Sequence, residues 1–117
     1  MRSPLHVRFL NLINALRQMA PFDDMTAEER ALLDDLVVRW DKQQRLTVGQ
    51  MMSESGRSSG ITVYRRLTSL RDKGLIELRT CETDKRARII EPTPLSRHYV
   101  SLLQSQLAAV FEQEHAS

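Results

Sequence analysis

Residues 58–73, S-S-G-I-T-V-Y-R-R-L-T-S-L-R-D-K, closed by Gly74, leave this chain few ways to fold. At about 3.6 residues per turn, Val63, Leu67 and Leu70 share one face, while Thr62, Arg65, Arg66, Ser69 and Lys73 line another. The spacing predicts a helix with an apolar back and a basic, hydroxyl-rich front. Ser58 or Ser59 can cap its first turn, and Gly74 sits where a left-handed residue ends a helix. Just upstream, residues 47–54 read as a shorter helix with Val48, Met51 and Met52 at helical spacing, followed by Ser55-Gly56-Arg57. A helix, a short glycine-containing turn and a second amphipathic helix with a basic front follow the order of a helix-turn-helix.

The flanking segments extend this unit. Residues 3–20 are expected to form a helix carrying Leu5, Phe9, Leu12, Ile13, Leu16 and Met19 on one stripe, widened by Val7 and Leu10. So much apolar circumference needs a second surface, and a partner chain is one way to supply it. Pro21 to Met25 break that helix. Thr26, with Glu29 three residues on, has the capping-box pattern, and Leu32, Leu33, Leu36, Val37 and Trp40 then recur as on a core helix. The acids Glu28, Glu29, Asp34 and Asp35 are expected to be solvated in the favourable field of the early helix turns rather than to hold a metal. Arg45-Leu46-Thr47 reads as an extended link. Beyond Gly74, residues 75–80 and 88–91 have strand character around a charged loop, which predicts a β-hairpin, or wing, tipped by residues 82–86. Thr93 and Pro94 start a last helix whose Leu95, Tyr99, Leu102, Leu103, Leu107, Val110 and Phe111 are apolar.

Charge is segregated along the chain. Residues 1–41 carry five basic and seven acidic side chains, residues 42–90 eleven and five, and residues 91–117 one and three, although the whole has a net charge of only +2. A module that meets phosphates concentrates cations in this way. No run approaches the roughly 18 apolar residues a membrane span requires, and Arg8, Asn11 and Asn14 interrupt the apolar N-terminus, so no signal peptide and a cytoplasmic location are expected. Cys81 has no partner for an internal disulfide. It reads as inert more readily than as a redox switch. His6, His98 and His115 lack ligand spacing, and no cofactor or metal is expected. No nucleophile–base pair or glycine-rich phosphate loop marks an enzyme.

Thr62-Val63-Tyr64-Arg65-Arg66-Leu67, Leu70, Lys73-Gly74-Leu75-Ile76, Asp84-Lys85-Arg86 and the run Ile90, Pro92, Thr93 together resemble the MarR-type winged helix-turn-helix transcription regulators over about residues 26–100. The resemblance implies an α+β fold, mostly helical, with a two- or three-stranded wing: an N-terminal dimerisation helix (1–22), a winged-helix core (26–92) and a C-terminal dimerisation helix (93–117). It implies a homodimer on double-stranded DNA, with the recognition helix in the major groove and the wing in the minor groove. Ser58, Ser59, Gly60, Ile61, Thr62, Arg65, Arg66, Ser69 and Lys73 would face DNA, and Arg86 would be the wing cation oriented by Asp84, beside Lys85. Leu5, Phe9, Leu12, Ile13, Leu16, Leu103, Leu107, Val110 and Phe111 would meet the second subunit. The chain departs from the pattern in its short C-terminus and in Ser96, where a glycine is usual.

Within that frame several roles stay open. One of Arg65 and Arg66, which point about 100° apart, would grip a guanine and the other a phosphate. Thr62 can offer a methyl to thymine or a hydroxyl to base or phosphate. Asp84 can equally be a turn former. Tyr64 packs beside Leu67 or reaches a phosphate. Phe9, Phe22, Met25 and Trp40 line a cleft for a small effector or fill a core. The alternative function is a winged helix used for protein contact, without sequence-specific DNA binding.

Overall fold

In the computed structural model, which describes residues 3–115, the chain forms two compact units. One is residues 26–96, and the other is built from the segments on either side.

The central unit begins with helix α2, Ala27–Asp41. Thr26 Oγ1 accepts the Glu29 N–H at 3.1 Å, and Glu29 Oε1 accepts the Thr26 N–H at 3.3 Å, the reciprocal cap expected from the sequence. Leu33 and Leu36 are buried, and the Trp40 indole N–H donates to the Ile90 carbonyl at 3.1 Å. Arg39 reaches Asp35 on its own helix at 3.2 Å and Glu54 at 2.8 Å. Glu54 ends helix α3, Val48–Ser53, which Thr47 caps through the Gln50 N–H. Helix α4, Gly60–Asp72, starts tight against α3: a Cβ on Gly60 would lie 3.4 Å from both Cβ and the carbonyl oxygen of Met52. Val63, Leu67 and Leu70 are its buried face, as the spacing predicts. At its end the Leu75 N–H bonds to the Leu70 carbonyl and the Gly74 N–H to Arg71, both at 2.9 Å, with Gly74 at φ +79°. This pair of bonds is a Schellman closure, which requires a left-handed residue at Gly74.

Strands β1, Ile76–Thr80, and β2, Arg88–Pro92, pair antiparallel from Ile76↔Pro92 to Thr80↔Arg88. The wing thus has two strands, within the expected two or three; beside them stands one isolated bridge, Thr47↔Ile89, with the Ile90 N–H donating to the Leu46 carbonyl at 2.9 Å. Helix α5, Pro94–His115, follows. Thr93 Oγ1 accepts the Ser96 N–H at 3.1 Å and Ser96 Oγ accepts the Thr93 N–H at 2.9 Å. Ser96 is thus a buried half of the cap, and its hydroxyl does what a glycine could not.

In the second unit α1 spans Leu5–Arg17, shorter than the expected 3–20. Pro4 occupies the N-cap, and Pro21 disfavours helical geometry at the residue before it, so residues 18–20 form a turn instead. A short 3₁₀ turn, Phe22–Asp24, then places the Phe22 ring 4.7 Å from the Tyr99 ring, tilted by 49°. Phe22, Met25 and Tyr99 are buried. Phe22 and Met25 therefore fill a core, whereas Trp40 is half-buried and Phe9 is exposed. No helix among the described residues is long and apolar enough to cross a membrane.

Gly74→Ala should lower the unfolding free energy by about 1 kcal/mol, because a Cβ is strained at positive φ. Urea denaturation followed by circular dichroism reads this; an unchanged midpoint would show that the left-handed closure contributes nothing.

Candidate nucleic-acid interface

The orientation of α4 about its own axis decides which side chains a ligand can meet. Arg71 and Asp72 are exposed at its C-terminal end; along its first turns Ile61, Tyr64 and Arg65 are exposed, with Thr68 half-buried beside them. At about 100° per residue these four share one face. Thr62, Arg66, Ser69 and Lys73, expected on the same front as Arg65, lie further round the helix and are half-buried.

Each of these four has an internal partner. Ser59, not Ser58, is the cap: its Oγ accepts the Thr62 N–H at 3.1 Å and lies 2.8 Å from the Thr62 hydroxyl. Ser58 Oγ accepts from Arg66 Nη1 at 3.3 Å. Ser69 Oγ donates to Glu29 Oε2 at 2.8 Å, and Lys73 Nζ lies 2.9 and 3.1 Å from the two Glu29 oxygens. Ser69 and Lys73, expected to face DNA, are both bonded to a carboxylate of α2. Glu29, expected to be solvated, is buried. Burial pushes its carboxyl up, but the hydrogen bonds from Lys73, Ser69 and Thr26 outweigh that and hold it below the ordinary carboxylate range.

Of the two exposed arginines of the helix, Arg71 pairs with Asp72 at 3.3 Å, which leaves Arg65. Among the described residues its guanidinium makes no hydrogen bond or ion pair. Arg65 and Arg66 thus divide as adjacent residues must: one faces solvent, and the other braces the turn.

The wing supplies further cations. Asp84, Lys85, Arg86 and Arg88 are exposed. Asp84 Oδ1 accepts the backbone N–H of Arg86 at 3.0 Å, and the Ala87 N–H bonds to the Asp84 carbonyl at 3.0 Å. Asp84 is therefore a turn former, and the expected charge-assisted bond to the Arg86 side chain is replaced by one to its main chain. A trough of about 460 Å³ separates the wing from the helix-turn-helix, with Arg86 and Arg88 on one wall and Gly49, Met52 and Tyr64 on the other. Tyr64 thus faces the trough. Cys81 is buried at the wing's root, 3.2 Å from the Thr83 hydroxyl and 2.9 Å from Arg45 Nη2. Hydrogen bonds from Thr83 and Asp84, together with the Arg45 charge, hold its thiol below the ordinary range.

The same fold occurs in solved structures. The chain aligns with the S. aureus MepR–DNA complex at TM-score 0.62 and 21% identity, over 95% of this chain and 82% of that one. It aligns with a probable transcriptional regulator from Pseudomonas aeruginosa at 0.55 and 17%, over 96% and 77%. The adhesin competence repressor AdcR of Streptococcus pyogenes matches at 0.53 and 20%, over 97% and 81%. The fold is that of the MarR-type regulators. No protein-family model and no curated protein sequence matches the chain.

In the MarR-type fold of this chain, sequence reasoning underrated three exposed residues beside Arg65: Arg57 in the turn, Tyr64, and Arg88 at the start of β2. Arg88 was legible only as a strand residue, because its exposure depends on the wing extending beyond the body.

At the other end of the chain, Leu5, Phe9, Leu107, Val110 and Phe111 line one apolar groove of about 330 Å³ between α1 and α5. Leu12, Ile13 and Leu103 are half-buried. Leu16, assigned to the same surface from sequence, is buried in the chain's own core and cannot serve it.

Glu29→Gln should cost about 2 kcal/mol at pH 7, since it strips a charged hydrogen-bond partner from Lys73. The folded carboxyl titrates below its unfolded value of 4.5, so its contribution is complete above that pH and is lost as pH falls through the folded pKa. Denaturant titrations of both proteins should therefore converge as the pH falls through the titration of the folded carboxyl. A difference that stays constant with pH would exclude the ionised carboxylate as its source.

Proposed function

We propose that the protein is a homodimeric, sequence-specific regulator of transcription that binds double-stranded DNA, with α4 in the major groove and the wing in the adjacent minor groove. The observation that carries this reading is the exposed Arg65, lying on a face of α4 flanked across the trough by Arg86 and Arg88. A guanidinium in that position can bond N7 and O6 of guanine at once, while Arg57, Lys85, Arg86 and Arg88 meet phosphates or the minor groove. The MepR–DNA complex, with which the chain shares its fold, supports the same reading.

A homodimer is supported by the apolar groove between α1 and α5, and by the exposure of Phe9 and Phe111, which line it. Two copies bring two recognition helices to a roughly palindromic site with half-sites about one helical turn apart.

Selection from random duplexes, with anisotropy at two salt concentrations, tests the reading. Enrichment of a palindrome, with affinity falling by about 0.9 log units per neutralised phosphate for each log unit of salt, is expected. Binding without enrichment would point to a protein-contact module.

Arg65→Ala should cost about 1–3 kcal/mol on the selected duplex and relax preference at one base position, whereas Arg86→Ala should weaken selected and scrambled duplexes alike and flatten the salt slope. Equal losses for Arg65→Ala on both duplexes would remove it as the base reader. Phe111→Glu should turn the dimer into a monomer in sedimentation equilibrium, and a variant that remains dimeric would place the interface elsewhere.

A further inference from the structure

Ile61 is a β-branched aliphatic side chain 63% exposed on the first turn of α4. It lies on the opposite side of the helix from Val63 and Leu70, so it takes no part in the core. It stands one turn before Tyr64 and Arg65 on the outward face, with Arg65 at the i+4 position. Resting on the DNA-binding reading, we propose that Ile61 reads the C5 methyl group of a pyrimidine, so that each half-site carries a thymine opposite the first turn of α4.

Three observations lead to this assignment. The only apolar group on the base edges of the major groove is the thymine methyl, so an aliphatic side chain brought there is complementary to that base and to no other unmodified one. Of the other methyl-bearing residues of the turn, Val63 is buried in the core, and Thr62 is half-buried with its hydroxyl and N–H engaged by Ser59. Arg65 sits about 6 Å along the same ridge, roughly two base steps of 3.4 Å, so the methyl and the guanine it reads should lie one or two base pairs apart. A 5-methylcytosine presents the same methyl and would be accepted at that position as far as Ile61 is concerned.

The test uses the full chain and the duplex obtained by selection. Each thymine is replaced in turn by deoxyuridine, which removes the methyl and nothing else. Wild-type affinity, read by anisotropy, should fall about fourfold at one position per half-site, the value of one buried methyl. Ile61→Ala, checked for an unchanged circular dichroism spectrum, should bind more weakly and be indifferent to uracil there, while keeping its dependence on the guanine read by Arg65. Uracil without effect at every position, or an Ile61→Ala protein as sensitive to uracil as wild type, would overturn the proposal and leave the regulator reading standing. Failure to select any duplex would overturn both.

Discussion

The Glu29 carboxylate holds together two ends of the central unit that are far apart in sequence. One of its oxygens accepts the Thr26 N–H that opens α2, and the pair receives Lys73 and Ser69 from the last turn of α4. A nearly buried carboxylate cannot surrender such partners without a large desolvation penalty. The start of α2 and the end of α4 are therefore fixed to each other. Since Ser69 and Lys73 are four residues apart on one side of α4, holding both also fixes the rotation of the helix about its axis. That rotation is what turns Ile61, Tyr64 and Arg65 outward.

Much of the fold was legible because its signals are local. The Thr26 and Thr93 caps, the glycine closure at Gly74 and the two strands of the wing each depend on residues within a few positions of one another. The rotation of α4 was not legible. Periodicity assigns Val63, Leu67 and Leu70 to the core, but it leaves an arc of more than half the helix as simply polar. The partner that divides this arc, Glu29, lies 40 residues from Ser69 and 44 from Lys73, and in sequence it looks like any acid in a helix's first turn. The same limit applies to Asp84, whose choice between the side chain and the main chain of Arg86 depends on how the turn closes.

Helix α4 and the wing use their cations differently. On α4, Arg66 is tied to Ser58, Lys73 to Glu29 and Arg71 to its neighbour Asp72. Charge counted along the chain therefore overstates what the helix offers to phosphates. The wing's Lys85, Arg86 and Arg88 are exposed, and the Asp84 carboxylate that might have neutralised one of them bonds a backbone N–H instead.

Selectivity and affinity are consequently separable in this architecture. Phosphate contacts carry no sequence information, so cations in the 55–57 turn and the wing would raise binding to every duplex alike. On the proposed reading, discrimination would fall to the few outward side chains of α4, where one guanidinium and one aliphatic group differ in what they would accept: a pair of acceptors for Arg65, a methyl for Ile61. Because Glu29 fixes the rotation that exposes both, a weakened clamp would blur base discrimination before it reduced attraction to DNA. The polar anchor of α4 thus bears on specificity as well as on stability.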